Sequence, residues 1–208
     1  MTERDTTGTA GGARDGARDG ARDRRAELLA AAVDHVAEHG IGELSLRALG
    51  AAIGTSHRML VHHFGSRERL FVEIVRESER RQREVLARLR AEPGLAPADA
   101  ARRLWARLTE PRLAGQERLF FEICGQALRG RPEAVPVLEG LVADWVEPLA
   151  AAEAAGGVAP AAARTRARLA VAAVRGLLLD LLATGDRAAV DAAMEEFIGL
   201  YYGPGAAG

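Results

Sequence analysis

Apolar residues recur at intervals of three or four along most of this chain, a spacing that places them on one side of an α-helix. Leu28, Ala32 and Val36 show the pattern clearly near the start of the periodic region. No segment alternates apolar and polar residues with period two for long enough to form a strand. The sequence therefore predicts an all-α protein.

Prolines punctuate the second half of the chain. Pro97, Pro132 and Pro160 stand where first helical turns are expected, because a proline there costs no hydrogen bond. The helices predicted in this half lie near residues 97–109, 112–129, 132–155, 160–183 and 186–201.

Two short helices separated by a glycine-containing turn are predicted in the first third of the chain. Ser45 is a favourable N-cap for the first of them, and the Gly-Thr-Ser segment from Gly54 breaks it. The second covers roughly 57–63 and stops at Gly65, after which Ser66 caps a long fourth helix. This arrangement is a helix-turn-helix.

The second short helix has one face that is available for recognition. Arg58 and His62 are four residues apart and share a face opposite Leu60, with Met59 and Val61 at its borders. An arginine fork can make two hydrogen bonds to guanine, and a valine can touch the methyl group of thymine. This face therefore suits the major groove of DNA, and the alternative is an ordinary solvated surface.

Three of the five histidines fall within this same segment, which raises the question of a metal site. His57, His62 and His63 are separated by five residues and by one, whereas two ligands on one helical face stand three or four apart. No nearby Cys, Asp or Glu completes a ligand set. No metal site is expected. For His57 and His63 the sequence leaves two roles possible, contact with DNA or packing within the protein.

Charge and residue inventory limit the possible functions. The net charge is -1, but residues 44–70 contain four arginines and one acid, so the basic character is local. Residues 91–208 contain no histidine, lysine or serine, and Cys124 has no histidine partner. An enzyme is not expected. No signal peptide or membrane span is indicated, and a cytoplasmic protein is expected.

The chain begins with a repeat. Residues 12–23 read GARDGARDGARD and cannot bury apolar surface, so residues 1–22 are expected to be disordered. An alternative is that Arg14, Arg18 and Arg22 form an arm that enters a DNA minor groove.

Residues 24–71 resemble the N-terminal domain of TetR-family transcriptional regulators. The resemblance lies in SLRALGAAIGTS, then HRMLVHHF, then GSRERLF. It implies a DNA-binding domain over residues 23–70 and phosphate contacts by Ser45 and Arg67. Val61 stands where the family usually has tyrosine, so one DNA contact should be missing. The candidate DNA-binding residues are Ser45, Arg47, Ser56, His57, Arg58, Met59, Val61, His62, His63 and Arg67.

The same resemblance implies that residues 71–208 form a helical effector-binding and dimerisation domain. In this family the middle helices surround a cavity, and their bulky apolar residues here suit a small lipophilic effector without a strong charge. The alternative for these aromatic residues is a solid core. The candidate pocket residues are Trp105, Gln116, Phe120, Phe121, Cys124 and Trp145.

The last two predicted helices are apolar on more than one side, so they need a partner beyond their own domain. A two-fold interface between two chains would supply it and would direct two recognition helices at an imperfectly palindromic operator. The candidate interface residues are Ala173, Gly176, Leu177, Met194 and Phe197.

The resemblance and the residues together imply a ligand-responsive repressor that binds double-stranded DNA as a homodimer and needs no cofactor. The alternative is a helical ligand-binding or interaction protein whose helix-turn-helix docks a protein. Salt-dependent binding to duplex DNA separates the two.

Overall fold

A computed structural model describes residues 10–40 and 45–203. For residues 10–19 it describes the backbone and not the side chains. The described residues contain helices and no strand, which confirms the all-α fold. The helices are α1 Ala10–His39, α2 Leu46–Ala52, α3 His57–Phe64, α4 Arg67–Ala91, α5 Pro97–Leu108, α6 Ala114–Leu128, α7 Ala143–Ala155, α8 Pro160–Thr184 and α9 Arg187–Tyr202. Two short 3₁₀ helices cover Pro111–Leu113 and Val135–Leu138.

The helix-turn-helix is joined to the rest of the protein by a shared core. Val36 of α1, Leu49 of α2 and Leu60 of α3 are fully buried in one apolar cluster, which also includes Leu70 of α4 and Leu119 of α6. Burial of this cluster removes apolar surface of both halves from water at once. The position of α3 is therefore coupled to the position of α6.

Two further apolar clusters build the second half. One joins α5, α8 and α9 through Leu104, Leu178 and Ile198. The other joins α7 and α8 largely through small residues such as Ala150 and Ala163, which let these two helices pack closely. None of the helices described combines the length and apolarity that a bilayer crossing requires.

The start of α1 differs from the expected disordered arm. The backbone is helical from Ala10, so residues 10–22 continue the helix, while residues 1–9 lie outside the described residues. Alanine and arginine, which recur in the repeat, are strong helix formers. These helix preferences, together with the packing of the C-terminal part of α1, offset the destabilising effect of the glycines on the helix.

The helix predicted over residues 132–155 is also interrupted. A 3₁₀ helix covers Val135–Leu138, and α7 begins only at Ala143. Pro136 has no N–H to donate, and Gly140 has a positive φ of 69°, which an α-helix does not accommodate. Pro97 and Pro160 do begin α5 and α8, as predicted.

Candidate functional site

Serine caps and a close glycine contact define the geometry of the helix-turn-helix. Ser45 and Ser56 begin α2 and α3, and their hydroxyls accept hydrogen bonds from the backbone N–H of Ala48 at 3.1 Å and Met59 at 3.2 Å. A Cβ atom on Gly50 would lie 3.0 Å from the carbonyl oxygen of Thr55. The absence of a side chain at this position therefore lets α2 lie directly against the turn that leads into α3.

The outer part of α3 is open to solvent. Arg58 and His62 are exposed, and beside them Met59 and Val61 are 40% and 36% exposed. Leu60, on the opposite side, is fully buried. We call Arg58, Met59, Val61 and His62 the exposed face of α3. The structure brings these four predicted residues together on one surface.

The two remaining histidines of this segment differ in environment. His57 is exposed at the first position of α3, whereas His63 is half-buried and its buried Nε2 atom has no hydrogen-bond partner. Loss of hydration on burial, followed by the positive charges of His62, Arg24 and Arg25, lowers the pKa of His63. His63 therefore holds a proton less readily than a free imidazole, and its ring meets the ring of His62 edge-to-face with the centres 5.2 Å apart. No three potential metal ligands converge within the described residues.

Basic side chains surround this surface. Arg47 is exposed on α2, and the guanidinium of Arg67, at the start of α4, lies 4.5 Å from the centre of the Phe71 ring. Ser66 caps α4 by accepting a hydrogen bond from the N–H of Arg69 at 3.1 Å. The side chain of Arg69 is exposed, and its position near the same helix start was not recognised from the sequence.

Arg25 is a structural link that sequence analysis missed. Its Nε atom donates to the carbonyl oxygen of His63 at 3.3 Å, and its NH2 atom lies 3.1 Å from Glu73. The same guanidinium stacks 4.9 Å from the centre of the Phe64 ring. One side chain of α1 therefore contacts both α3 and α4 and restrains the orientation of α3.

A cavity of about 90 Å³ lies between helices α4 to α9. Trp105, Phe120 and Trp145, three of the six candidate pocket residues, line it. Phe121 and Cys124 instead pack against the cores beside it, and Gln116 is buried outside the lining. The rings of Phe120 and Phe121 meet edge-to-face with their centres 5.1 Å apart, and of the two only Phe120 lines the cavity.

A buried polar group enters this mostly apolar cavity. Glu79 accepts hydrogen bonds at Oε2 from Trp145 Nε1 at 2.7 Å and from Arg175 NH2 at 2.9 Å. Gln82 donates from Nε2 to Oε1 of Glu117 at 2.8 Å. Sequence analysis missed these residues. The sequence did contain one indication that Glu79 is buried. It follows the buried Val75 by one helical turn and so lies on the apolar side of the helix.

The predicted interface residues divide into two environments. Met194 is only 3% exposed inside the core of α5, α8 and α9, and Leu177 and Phe197 are half-buried against that core. Ala173 is half-buried, whereas Gly176 is exposed. Met194, Leu177 and Phe197 thus pack at least part of their apolar surface within their own chain.

A different apolar stripe faces outward on α8. Leu169 and Leu179 are 59% and 51% exposed, and Ala172 and Gly176 lie exposed between them at helical spacing. Leu200 on α9 is 71% exposed. We call Leu169, Ala172, Gly176 and Leu179 the outer stripe of α8.

Comparison with known proteins supports the arrangement of the N-terminal half. Residues 28–74 match the family described as bacterial regulatory proteins, tetR family. The HTH-type transcriptional repressor AcnR of Corynebacterium diphtheriae is 39% identical over 64 residues, which are 31% of this chain and 34% of AcnR. The match thus spans about a third of the length of this curated relative.

Solved structures match over most of the chain. A transcriptional regulator from Rhodococcus sp. Rha1 has the same fold, with a TM-score of 0.66 over 85% of this chain and 94% of that chain at 23% identity. The multidrug binding protein EbrR, complexed with proflavin, gives a TM-score of 0.55 over 85% of this chain and 99% of that chain at 30% identity. Fold and site together define a helix-turn-helix protein with a helical second half. The chain belongs to the TetR family of bacterial transcriptional regulators.

Proposed function

We propose that the protein is a repressor that binds double-stranded DNA as a homodimer and leaves its operator when a small lipophilic effector enters the cavity. The observation that carries this proposal is the exposed face of α3, which presents Arg58 and His62 to solvent from a helix anchored by buried Leu60. A helix of this kind fits the major groove. The similarity of residues 28–74 to the family supports the same role.

Within this proposal, base contacts and phosphate contacts come from different residues. Arg58 reads guanine through two hydrogen bonds, Val61 touches a thymine methyl group, and His62 and Met59 complete the surface. The phosphate contacts come from Ser45, Arg47, Ser56, His57 and Arg67. The capping serines accept hydrogen bonds with their oxygen, so each hydroxyl hydrogen can still be donated to a phosphate. His63 is a further proposed contact at the edge of this surface, since its half-buried ring lies 5.2 Å from the ring of His62.

The outer stripe of α8, with Leu200 of α9, is the proposed two-fold interface. Its leucines are more than half exposed in the single chain, and a Cβ atom on Gly176 would meet nothing within 4 Å, so a second helix has room to approach. Burial of apolar surface at about 25 cal/mol per Å² favours such contact. In a two-fold dimer the two copies of α3 lie on one side and face successive major grooves.

The cavity between α4 and α9 is the proposed effector site. Its 90 Å³ is smaller than the roughly 300–1,000 Å³ of typical small-molecule sites, so a drug-sized effector has to push these helices apart. Because α6 shares its core with α1, α2 and α3, such movement would change the separation of the two copies of α3. EbrR, which is similar over this region, is named as a multidrug binding protein and binds proflavin.

Selection of DNA fragments from the protein's own genome tests the proposal. The expected product is an imperfect inverted repeat whose half-site centres are about 34–36 Å apart, one turn of DNA. Binding should weaken steeply as salt is raised, because phosphate contacts displace counterions. Absence of any salt-dependent binding to duplex DNA would instead favour a helix-turn-helix that docks a protein.

A further inference from the structure

Glu117 carries a buried carboxyl group whose charge is not matched. Its residue is 4% exposed, it lines the cavity, and the contact described for its side chain is the hydrogen bond from neutral Gln82. No arginine or histidine among the described residues forms an ion pair with it. A buried carboxylate without a partner is unfavourable, because the protein interior solvates charge poorly.

The arginine that lines the same cavity as Glu117 is already engaged. Arg175 of α8 donates from NH2 to Glu79 at 2.9 Å and to the carbonyl oxygen of Leu141 at 2.7 Å, and its guanidinium lies 5.0 Å from the centre of the Phe120 ring. Glu79 and Arg175 therefore neutralise each other. The remaining charge on this side of the cavity is that of Glu117 alone.

The groove on the other side of Glu117 contains basic residues, but none of the described ion pairs joins one of them to Glu117. Glu117 also lines a neighbouring groove with Glu110, Arg118 and Arg187. Arg187 is held by Asp191 at 2.8 Å and by the backbone of Thr109. Burial, followed by the charge of Glu79, raises the pKa of Glu117 to about 7 against the opposing effects of Gln82 and Arg175. Near neutral pH, the carboxyl group is therefore poised between its two protonation states.

From this arrangement we infer that the effector is a lipophilic aromatic cation whose positive charge meets the carboxylate of Glu117. The inference rests on the proposed role of the cavity as the effector site. The face of an aromatic side chain in the lining, such as Trp105, attracts a cationic ring, and the apolar walls accept the hydrocarbon part. This inference differs from the expectation, drawn from the sequence, of an effector without a strong charge.

A matched pair of probes tests this inference. 1-Methylquinolinium and 1-methylnaphthalene have the same ring skeleton and methyl group, but only the first carries a permanent positive charge. Equilibrium dialysis gives the affinity of each for the full chain. The wild-type protein should prefer the cation at pH 8, and Glu117→Gln should reduce cation affinity at least tenfold without weakening the naphthalene. Glu122→Gln, an exposed change on the same helix, should alter neither affinity.

The pH dependence of the wild-type protein provides a test that needs no variant. Protonation removes the charge that the cation requires, so cation affinity should fall towards tenfold per pH unit below about pH 7, while the naphthalene affinity stays constant. Equal affinities for the two probes at pH 8, or a cation preference that survives Glu117→Gln, would overturn the inference.

The outcomes separate this inference from the proposed function. If the naphthalene binds and releases operator DNA while the cation has no advantage, the cavity remains the effector site and the assigned ligand class is wrong. If neither probe binds, both the ligand class and the role of the cavity fail. If Glu117→Gln fails to bind DNA even without a probe, the substitution has disturbed the helix-turn-helix, and the direct binding of the two probes then decides the inference.

Discussion

Arg58 and Arg67 are both basic residues beside the helix-turn-helix, but their surroundings differ. Arg58 is exposed on α3, whereas Arg67 stacks on Phe71 at the start of α4. Arg58→Ala should cost about 1–3 kcal/mol of operator binding per half-site and relax the preference at one base position. Arg67→Ala should weaken binding to all sequences alike and reduce the salt slope by about one per subunit.

Affinities for the operator and its single-base variants, measured at several salt concentrations, distinguish these two roles. A uniform loss for Arg58→Ala together with a changed base preference for Arg67→Ala would reverse the assignment. If neither variant affects binding, the proposed docking of α3 is wrong.

Glu117 should also leave a signature in the stability of the protein. Its pKa is raised from 4.5 to about 7 in the folded state, so between these pH values the folded protein holds a proton that the unfolded chain has released. This contribution to the free energy of unfolding is present below about pH 4.5 and is lost as the pH rises to about 7. The difference between these two pKa values corresponds to about 3 kcal/mol.

Urea denaturation of the wild type and of Glu117→Gln at pH 5 and pH 7.5 measures this effect. The glutamine variant should gain stability relative to the wild type as the pH rises, because it has no carboxyl group to ionise. Glu122→Gln serves as the control and should follow the wild type. A constant difference between Glu117→Gln and the wild type across this range would contradict the assigned environment of Glu117.

At the scale of elements, α1 and α6 approach each other closely and link the two halves of the protein. A Cβ atom on Gly115 of α6 would lie 2.3 Å from the Cα atom of Gly40, which ends α1. Backbone atoms cannot rotate away from such an overlap, so Gly115→Ala should separate the helices and cost about 1–3 kcal/mol of stability. Operator affinity should change as well, because α1 packs against α3 and α4 through Arg25.

Gly125 provides a matched control on the same helix. A Cβ atom there would meet nothing within 4 Å, so Gly125→Ala should stabilise α6 by roughly 0.5–1 kcal/mol. Chemical denaturation of both variants, followed by DNA binding, measures the two effects. Equal stability changes for the two substitutions would show that α1 and α6 have room to separate without cost.

At the scale of the whole molecule, the outer stripe of α8 decides the state of assembly. In a two-fold interface each residue meets the same surface of the partner, so Leu179→Glu introduces a buried charge twice. Leu169→Glu should act in the same way. Light scattering should report the mass of a single chain for both variants, and operator affinity should fall because one α3 no longer assists the other.

Leu128→Glu is the control for this experiment. Leu128 is 78% exposed at the end of α6, away from the stripe, and its replacement should leave the dimer mass unchanged. A dimer mass for both Leu169→Glu and Leu179→Glu would place the interface elsewhere on the protein.

The sequence by itself determined the helix-turn-helix to within one or two residues. Ser45, Gly54, Ser66 and the apolar Leu60 act on neighbouring residues through capping, turn geometry and helical spacing. Their effects depend little on distant parts of the chain. For this reason the limits of α2, α3 and α4, and the solvent exposure of Arg58 and His62, agree with the expectation.

Only the tertiary structure decided which apolar residues line the cavity and which remain exposed. Phe120 lines it and Phe121 does not, and Met194 fills a core while Leu179 faces solvent, although the composition of these helices gives no distinction. The buried position of Glu117 likewise depends on Gln82 and Glu79, which are distant in the sequence. Helical periodicity identifies an apolar side, but the rotation of each helix is set by the volumes of all the helices packed around it.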